Sequence, residues 1–526
     1  MPPHQLREHL RVFDDAMIKA VRTATGQALP RDGSIAIKRL RWPRRLCGGR
    51  IRRAVDVAPA AYLGGICLCV SSFTTSVDNY GDSTPGCLDH MPGDYGVGSF
   101  DHGNEDSRFS VLLVSGSALG NDLQRYFNDL KVEVHAQTRY EDMDDDSVFK
   151  PQAKGAGWRQ GQLLAKPQHE FTIARENKRY DDTLIQLAIK TCRRGVRPTR
   201  QECAFLSCNR LSTQFVGVPA MQRTIIGNVL YHEVWSAYLG TDSPICLPWV
   251  GTKFTCGKRT YVIDRYGDVL CSAPLDKGQW TVRHDQFKWT LAKQCLWACY
   301  DVGVEVAHLF LPVINQKQSF LKKEKQRQRQ GLVPDMIDVK RQRLMDVKTM
   351  SFNPSRYSSA RFHNGKRAGA AEFRADAVNR ECVNKAKVVD EKYNGVDFAV
   401  SGPGPVLRRL QAYGRVEGLT VGAHGESSPD LDTLIKRIAD KGAMSRYRVL
   451  GFESPLDARS TIINQIYMTL GIEAIRGVAR LRVANLSTAL AGSRSRKAAK
   501  ARRQAAKALF EEQNLAYWHR HCYFDS

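Results

Sequence analysis

The chain contains 526 residues, of which 42% are hydrophobic and 25% are charged, a composition that supports folded cores and excludes an intrinsically disordered protein. Its 78 lysines and arginines outnumber its 54 aspartates and glutamates, and the formal net charge is +24. Excess positive charge favours a polyanionic partner, because basic side chains that bind phosphates release condensed counterions. The sequence therefore predicts a nucleic-acid partner, DNA or RNA, and leaves the oligomeric state open.

Neither a disulfide framework nor a membrane span is predicted. The 14 cysteines lack the dense, regular spacing of a disulfide scaffold, so we interpret them as reduced thiols. Residues 1–21 carry charges throughout and contain no apolar core of a secretory signal. The best membrane candidate, residues 57–73, is interrupted by Pro59, Gly64 and Gly65 and is too short to cross about 30 Å of hydrocarbon. We expect an intracellular protein, nuclear or cytoplasmic, with no membrane partner.

Changes in composition divide the chain into six predicted segments. They are a basic helical segment at 1–75, a loop-rich region at 76–164, a helical region at 165–245, a segment with Cys and His residues at 246–300, a mixed domain at 301–445 and a basic helical tail at 446–526. Within the mixed domain, predicted strands alternate with helical patterns, which is typical of an α/β sheet domain. The predicted fold class is therefore α+β and multidomain, with a mainly helical N-terminal half followed by this α/β domain.

Three basic segments are candidates for contacts with phosphates. One follows the first predicted helix, one is the linker LKKEKQRQRQ at 321–330, and one lies on an alanine-rich helix near the end of the sequence. A solvated basic face is the alternative interpretation of such runs. The predicted nucleic-acid-binding residues are Arg44, Arg45, Arg52 and Arg53 in the first segment, Arg327 and Arg329 in the second, and Arg494, Arg496, Lys497, Arg502 and Arg503 in the third.

The stretch LVPDMIDVKRQRLMDVKTM at 332–350 contains the most informative pattern. It predicts two strands joined by a tight connection, and side chains along a strand alternate between its two faces. Asp346 and Lys348 should then point the same way while Val347 packs into the core. If Asp335 begins the neighbouring strand, two carboxylates converge, and a bound Mg²⁺ would relieve their repulsion and activate water for hydrolysis. Lys348 would orient that water or stabilise negative charge on the phosphorane.

Other side chains around this stretch are further candidates. Asp338 and Lys340 form a second D-V-K, which is either the true pair or a solvated copy. Glu305, on a predicted strand upstream, is either an additional catalytic carboxylate or a surface glutamate. A predicted helix downstream supplies basic and aromatic side chains without indicating which of them faces the site, namely Lys385, Lys387, Lys392 and Tyr393.

Cys256, Cys271 and His284 are residues of the types that bind Zn²⁺. A structural zinc site needs four ligands, and Cys246 is a candidate for the fourth, although the sequence contains no C-x2-C pair in this region. Zinc is therefore a candidate cofactor. Buried free thiols with an exposed histidine are the alternative interpretation.

The pattern at 334–350 resembles the PD-(D/E)xK signature of restriction-like nucleases. Pro334 and Asp335 match its first element, and residues 346–348 match its D-x-K element. The order of motifs from 250 to 445 resembles the C-terminal region of non-LTR retrotransposon polyproteins, in which a restriction-like endonuclease follows a cysteine-histidine knuckle. Residues 35–75 are similar to the segment that follows the reverse transcriptase thumb in those proteins.

This resemblance implies a nuclease that nicks DNA to prime reverse transcription. It implies Asp335 and Asp346 as the acidic positions that bind magnesium, Lys348 as the lysine of the signature, and Cys256, Cys271 and His284 as knuckle positions. No Y-x-D-D motif is present, so polymerase activity is not predicted. The alternative function is a catalytically inactive nucleic-acid-binding protein derived from the same kind of element.

Overall fold

The computed structural model describes residues 3–27, 34–58, 61, 167–217, 226–275, 278–306, 309–314, 334–358, 362–363, 366–367, 369–491 and 496–521. These residues form a mixed α+β structure with many helices and small sheets, in agreement with the predicted fold class at this coarse level. The chain divides into two compact units. The first comprises Met1–Val21, Leu40–Leu46 and Arg50–Arg194, and the second comprises Arg22–Arg39, Cys47–Gly49 and Gly195–Ser526.

The helices of the described residues are numbered here in chain order. They are α1 Pro3–Thr25, α2 Ile35–Arg41, α3 Pro167–Ala188, α4 Arg200–Ser207, α5 Asn228–Leu239, α6 Asp268–Ser272, α7 Gln279–Trp297, α8 Pro354–Ser358, α9 Ala370–Asn394, α10 Phe398–Ser401, α11 Pro405–Ala412, α12 Pro429–Arg446, α13 Pro455–Ala489 and α14 Arg496–His521. The strands are β1 Lys253–Cys256, β2 Arg259–Val262, β3 Val302–Val304, β4 Met336–Asp338, β5 Arg343–Thr349, β6 Phe362–His363, β7 Lys366–Arg367 and β8 Glu417–Val421.

In the first unit, one buried carboxylate organises the basic segment. Asp14 accepts hydrogen bonds from the backbone N–H groups of Ala54, at 2.6 Å, and Val55, at 3.2 Å. These N–H groups belong to the first turn of the helical stretch at 54–58, where helices leave backbone donors unsatisfied. Asp14 therefore caps this stretch with a negative charge at the positive end of the helix dipole.

The second unit contains a four-stranded mixed sheet with the order β3-β4-β5-β8. The first three strands are antiparallel, and β5 and β8 are parallel. β4 pairs with β5 only from Met336, which lies opposite Met345, whereas β5 continues to Thr349 alongside β8. The second half of β5 therefore has no β4 partner on one edge.

Side chains of β5 alternate between the two faces of this sheet. An apolar core covers each face. Met345 and Val347 join a core formed with α7, α12 and α13. Leu344 joins a core formed with α9 and α11. Asp346 follows the same alternation as Leu344, so it points to the α9 side.

A glycine permits the close packing of α9 on the sheet. Gly418 of β8 lies opposite Asp346, and a Cβ atom on it would lie 2.6 Å from the backbone of Ala375 in α9. Such a separation is shorter than real Cβ contacts, so any larger residue would push α9 away from the sheet.

The long helices on the opposite face begin at capping serines followed by proline. The hydroxyl of Ser428 accepts from the N–H of Leu431 at the start of α12, and that of Ser454 accepts from the N–H of Asp457 at the start of α13. Proline suits the first helical position because its missing N–H would be unsatisfied there. Among the described residues, no helix combines the length and apolar character needed to cross a bilayer.

Candidate active site

Two carboxylates meet where β5 extends beyond β4. Asp335 directly precedes β4, and Asp346 lies within β5. The N–H of Val347 has no β4 partner there and donates instead to Asp335 Oδ2 at 2.8 Å. This hydrogen bond places the Asp335 side chain beside that of Asp346, close enough for each group to shift the pKa of the other.

Burial and mutual repulsion separate the proton affinities of the two groups. Burial raises the pKa of Asp346 to about 6; the Asp335 charge adds to this rise and Lys348 opposes it. Burial also acts to raise the pKa of Asp335, but the hydrogen bond and charge of His284 outweigh it, so this pKa is lowered. At neutral pH the two carboxylates face two positive charges: Lys348 pairs with Asp346, and the pKa of about 8 keeps the His284 ring beside Asp335 largely protonated.

Lys348 completes the group from the same strand. Its Nζ forms an ion pair with Asp346 Oδ2, and its side chain is 24% exposed. Val347, between them, is fully buried in the opposite core. This is the arrangement that strand alternation predicts for the three residues, and it leaves the paired ammonium group partly exposed.

Glu305 lies at the rim of this group, one residue after β3. Its N–H donates to the carbonyl of Asp335 at 2.8 Å, and its backbone has a left-handed φ of 54°. Its side chain is 63% exposed and accepts from Lys288 Nζ at 2.9 Å. The structure therefore brings Glu305 near the pair through its backbone, while its carboxylate is held by a lysine of α7.

The second D-V-K has a different role. Asp338 is buried at the far end of β4, where it accepts hydrogen bonds from the Tyr300 hydroxyl and from the N–H of Arg341. Arg437 of α12 lies 3.7 Å from the same carboxylate. Lys340 is exposed. Asp338 therefore stabilises the hairpin formed by β4 and β5. It lies at the opposite end of β4 from Asp335, so the second D-V-K is separated in space from the carboxylate pair.

On the α9 side, Cys382 lies close enough to the pair for the charge of Asp346 to act on its thiol. Burial raises the pKa of its thiol to about 11; the negative charge of Asp346 adds to this rise, while Lys348 and Lys385 oppose it. Of the four downstream candidates, Lys385 lies one helical turn from Cys382 on α9, and its charge acts on that thiol. The others have partners elsewhere: Lys387 lies over Phe398, Lys392 lies over the ring of Tyr393, and Tyr393 packs in the core.

His284, predicted as a zinc ligand, lies instead at the carboxylate pair. Its Nε2 is 3.2 Å from Asp335 Oδ2 and 3.0 Å from the carbonyl oxygen of Val347, and its Nδ1 is 3.0 Å from Asp285. Burial opposes its protonation, but the Asp335 hydrogen bond and charge prevail and raise its pKa to about 8. Sequence reasoning missed this contact because α7 precedes the hairpin by about fifty residues and no local spacing links the two.

The predicted zinc ligands are not assembled into a site. The Cys256 thiol donates to the carbonyl of Pro274 at 2.7 Å, and Cys271 is buried in α6, where burial raises its pKa to about 11. Across the part of the chain that the structure describes, no group of three or more His, Cys, Asp and Glu side chains is arranged to hold a metal ion. The geometry gives the zinc prediction no support, because His284 faces the hairpin.

Several arginines of the first basic segment, which the sequence predicts to contact phosphates, form ion pairs with acidic side chains of the first unit. Arg45 and Arg52 pair with Glu176 of α3 at 2.8 and 2.7 Å, and Arg53 lies 3.8 Å from Asp14. Arg44 begins the short 3-10 helix Arg44–Leu46. These ion pairs tie the segment to neighbouring helices.

The third basic segment is presented on α14. Its alanines Ala498, Ala505 and Ala508 are buried, and Arg503 is exposed. Lys497 donates to the carbonyl of Pro248 at 3.1 Å, and Arg502 donates to that of Ala491 at 3.3 Å. Arg496 is the first residue of α14, whereas Arg327, Arg329 and Arg494 lie outside the described residues.

Comparisons with protein families, with curated proteins and with solved structures find no match to this chain.

Proposed function

We propose that this protein is a metal-dependent DNA endonuclease that hydrolyses phosphodiester bonds. The observation that carries the proposal is the meeting of Asp335 and Asp346 from adjacent strands with Lys348 on the same strand face. The resemblance of these residues to the PD-(D/E)xK signature, and of the motif order to non-LTR retrotransposon endonucleases, supports the same assignment and a restriction-like fold for the domain around the four-stranded sheet.

The carboxylate pair fits Mg²⁺ by its donor chemistry. Magnesium prefers hard oxygen ligands and is commonly held by one or two carboxylates, with waters and substrate phosphates filling the other positions. Burial raises the pKa of Asp346, so its negative charge is costly at this position and a bound cation would offset that cost. Asp335 and Asp346 would hold the ion, which when bound would supply a Lewis acid and a water of lowered pKa.

The chain's own residues supply positioning and charge. Lys348 places an ammonium group beside the pair, where it stabilises the negative charge that develops on phosphate oxygens during hydrolysis. Val347 anchors β5 in the core, so the carboxylate and the ammonium group on its two sides keep their relative position. Such preorganisation is the main protein contribution to a reaction as slow without catalysis as phosphodiester cleavage.

The net charge of +24 and the exposed basic side chains of α14 support a nucleic-acid substrate. Lys500 and Arg503 are exposed on this helix while Ala498, Ala505 and Ala508 are buried, so basic groups project away from the packed face. No polymerase activity is part of the proposal, since no Y-x-D-D motif is present.

The decisive experiment is incubation of the protein with supercoiled plasmid and Mg²⁺ or Mn²⁺. We expect the wild type to nick the plasmid and Asp346→Asn to be inactive. Lys348→Ala should lower the rate by about 100-fold or more, as does loss of a charge-stabilising group at an active site. Lys340→Ala is the matched control, because it removes the exposed lysine of the second D-V-K and should leave nicking unchanged.

Each result bears on the assignment. Equal nicking by wild type and Asp346→Asn would indicate a contaminating nuclease and contradict this site. A wild type that binds DNA with a steep salt dependence but does not cut would identify a catalytically inactive nucleic-acid-binding protein. RNA in place of DNA distinguishes the substrate classes in the same assay.

A further inference from the structure

His284 connects the two strand segments that carry the carboxylates. Its Nε2 contacts both Asp335 Oδ2 and the carbonyl oxygen of Val347. Both acceptors lie beside the part of β5 that has no β4 partner. The imidazole therefore joins the two chain segments at a position where a longer β4 would form backbone hydrogen bonds. The contact between Nδ1 and Asp285 fixes the orientation of the ring.

The neighbouring residue holds α7 against the same sheet. Arg283 is buried and donates to the carbonyl of Met350 at 2.9 Å and to that of Gly422 at 3.2 Å, just beyond the ends of β5 and β8. Phe287 and Leu291 of α7 pack in the core on the sheet's face. The rotation of α7 is therefore fixed, and with it the place of the His284 ring.

The hydrogen bonds to Asp335 are concentrated on one oxygen. The Val347 N–H and the His284 ring both contact Oδ2, which leaves Oδ1 for a cation or for Asp346. We propose that His284 is a positioning residue, whose ring holds the Asp335 carboxylate and the Val347 carbonyl so that Asp335 faces Asp346 in a metal-binding orientation. The effect on rate rests on the proposed nuclease function, whereas the effect on metal affinity does not.

The test compares His284→Gln with His284→Leu. The two side chains are similar in size, but the glutamine amide has two N–H groups that reach Asp335 and Val347, and leucine has none. Mn²⁺ binding is measured by calorimetry without DNA, and nicking is measured as kcat and KM. Loss of a hydrogen-bond partner of a metal ligand costs about 10- to 100-fold in metal affinity or activity. We expect that loss, in Mn²⁺ affinity and in kcat, for leucine and largely restored values for glutamine.

Two controls separate positioning from general damage. DNA affinity in Ca²⁺, and KM, should stay within about twofold of wild type in both variants, since the ring acts on the carboxylates and not on the nucleic acid. His9→Gln, which changes an exposed histidine of α1, should alter nothing. Should the leucine variant not fold, His284→Asn replaces it, because an amide one methylene shorter cannot reach both acceptors and the same separation from glutamine is expected.

The outcomes distinguish this inference from the proposed function. A wild type that does not nick, combined with a leucine variant that binds Mn²⁺ at least about tenfold more weakly than glutamine, overturns the nuclease and supports the positioning role. A nicking wild type with equal leucine and glutamine variants overturns the positioning role and leaves the nuclease. Absence of Mn²⁺ binding by the wild type overturns both.

Discussion

At the scale of one residue, the buried negative charge of Asp346 lowers the free energy of unfolding of the protein. The folded protein raises its pKa from 3.8 to about 6, mainly through burial and also through Asp335. A carboxyl group with a raised pKa binds its proton more tightly in the folded state than in the unfolded state. Its contribution to the free energy of unfolding therefore falls as pH rises from about 4 through 6, and is fully unfavourable above 6 when no metal is bound.

Asp346→Asn should accordingly stabilise the metal-free protein at pH 8. Asparagine has the shape of the protonated acid, so the substitution removes the cost of the buried charge, about 1 to 3 kcal/mol at about 1.4 kcal/mol per pKa unit. At pH 4.5, where the wild-type group is already protonated in the folded state, the two proteins should differ much less. Urea unfolding in EDTA at both pH values measures this difference. A variant less stable than wild type at pH 8 would show that the Lys348 ion pair outweighs the burial of the charge.

At the scale of elements, the site depends on the contact between α9 and the sheet. Gly418 of β8 lies beside Asp346 and allows the backbone of Ala375 to approach. Because the charge of Asp346 acts on the thiol of Cys382 in the same helix, a shift of α9 would also change the surroundings of the carboxylate pair. Packing of the helix and electrostatics of the site are thus linked through one glycine.

Gly418→Ala should lower the free energy of unfolding by about 1 to 3 kcal/mol, the usual cost of overpacking a tight contact. The same variant should reduce nicking, because α9 must move away from β5 to make room. Gly227→Ala is the control: it has an ordinary φ and no atom within 4 Å of an added Cβ, so it should cost under about 1 kcal/mol. Chemical denaturation of the two variants provides the comparison, and equal losses would show that the contact of α9 with β8 tolerates a methyl group.

The elements also show which parts of the site a sequence can reveal. Alternation along β5 is a local property, so the common face of Asp346 and Lys348 and the burial of Val347 follow from their order in the chain. The partner of Asp335 in α7 depends on how a distant helix packs, and no periodicity encodes it. The same limit applies to Arg45, since its pairing with Glu176 of α3 joins residues more than a hundred positions apart. Choosing between the two D-V-K motifs likewise required knowing that Asp338 is buried against Tyr300.

At the scale of the whole molecule, part of the positive charge serves the fold. Arg39 and Arg283 are buried and donate to backbone carbonyls, and Arg482 is buried beside Glu233. The net charge of +24 is therefore not all available to a polyanion. The exposed basic residues of α14 are better placed to contact a polyanion than the ion-paired Arg45 and Arg52. The salt dependence of DNA binding measures this difference.

Replacing Lys500 and Arg503 with glutamine should weaken DNA binding and reduce the slope of log affinity against log salt concentration. Each phosphate contact contributes about 0.9 to that slope for duplex DNA, so the double variant should lose up to about 2. The loss should be similar for unrelated DNA sequences, because phosphate contacts carry no sequence information. Fluorescence anisotropy at several salt concentrations measures both quantities.

The matched comparison is Arg45→Gln with Arg52→Gln, which removes the same number of charges. Their guanidinium groups already pair with Glu176, so the slope should stay close to wild type while the free energy of unfolding falls by under about 1 kcal/mol per pair. If this pair lowers the salt slope as much as the α14 pair does, long-range charge rather than contact drives binding, and α14 is not the surface that carries the nucleic acid. If only the α14 pair lowers it, the helix is that surface, since both variants have the same net charge.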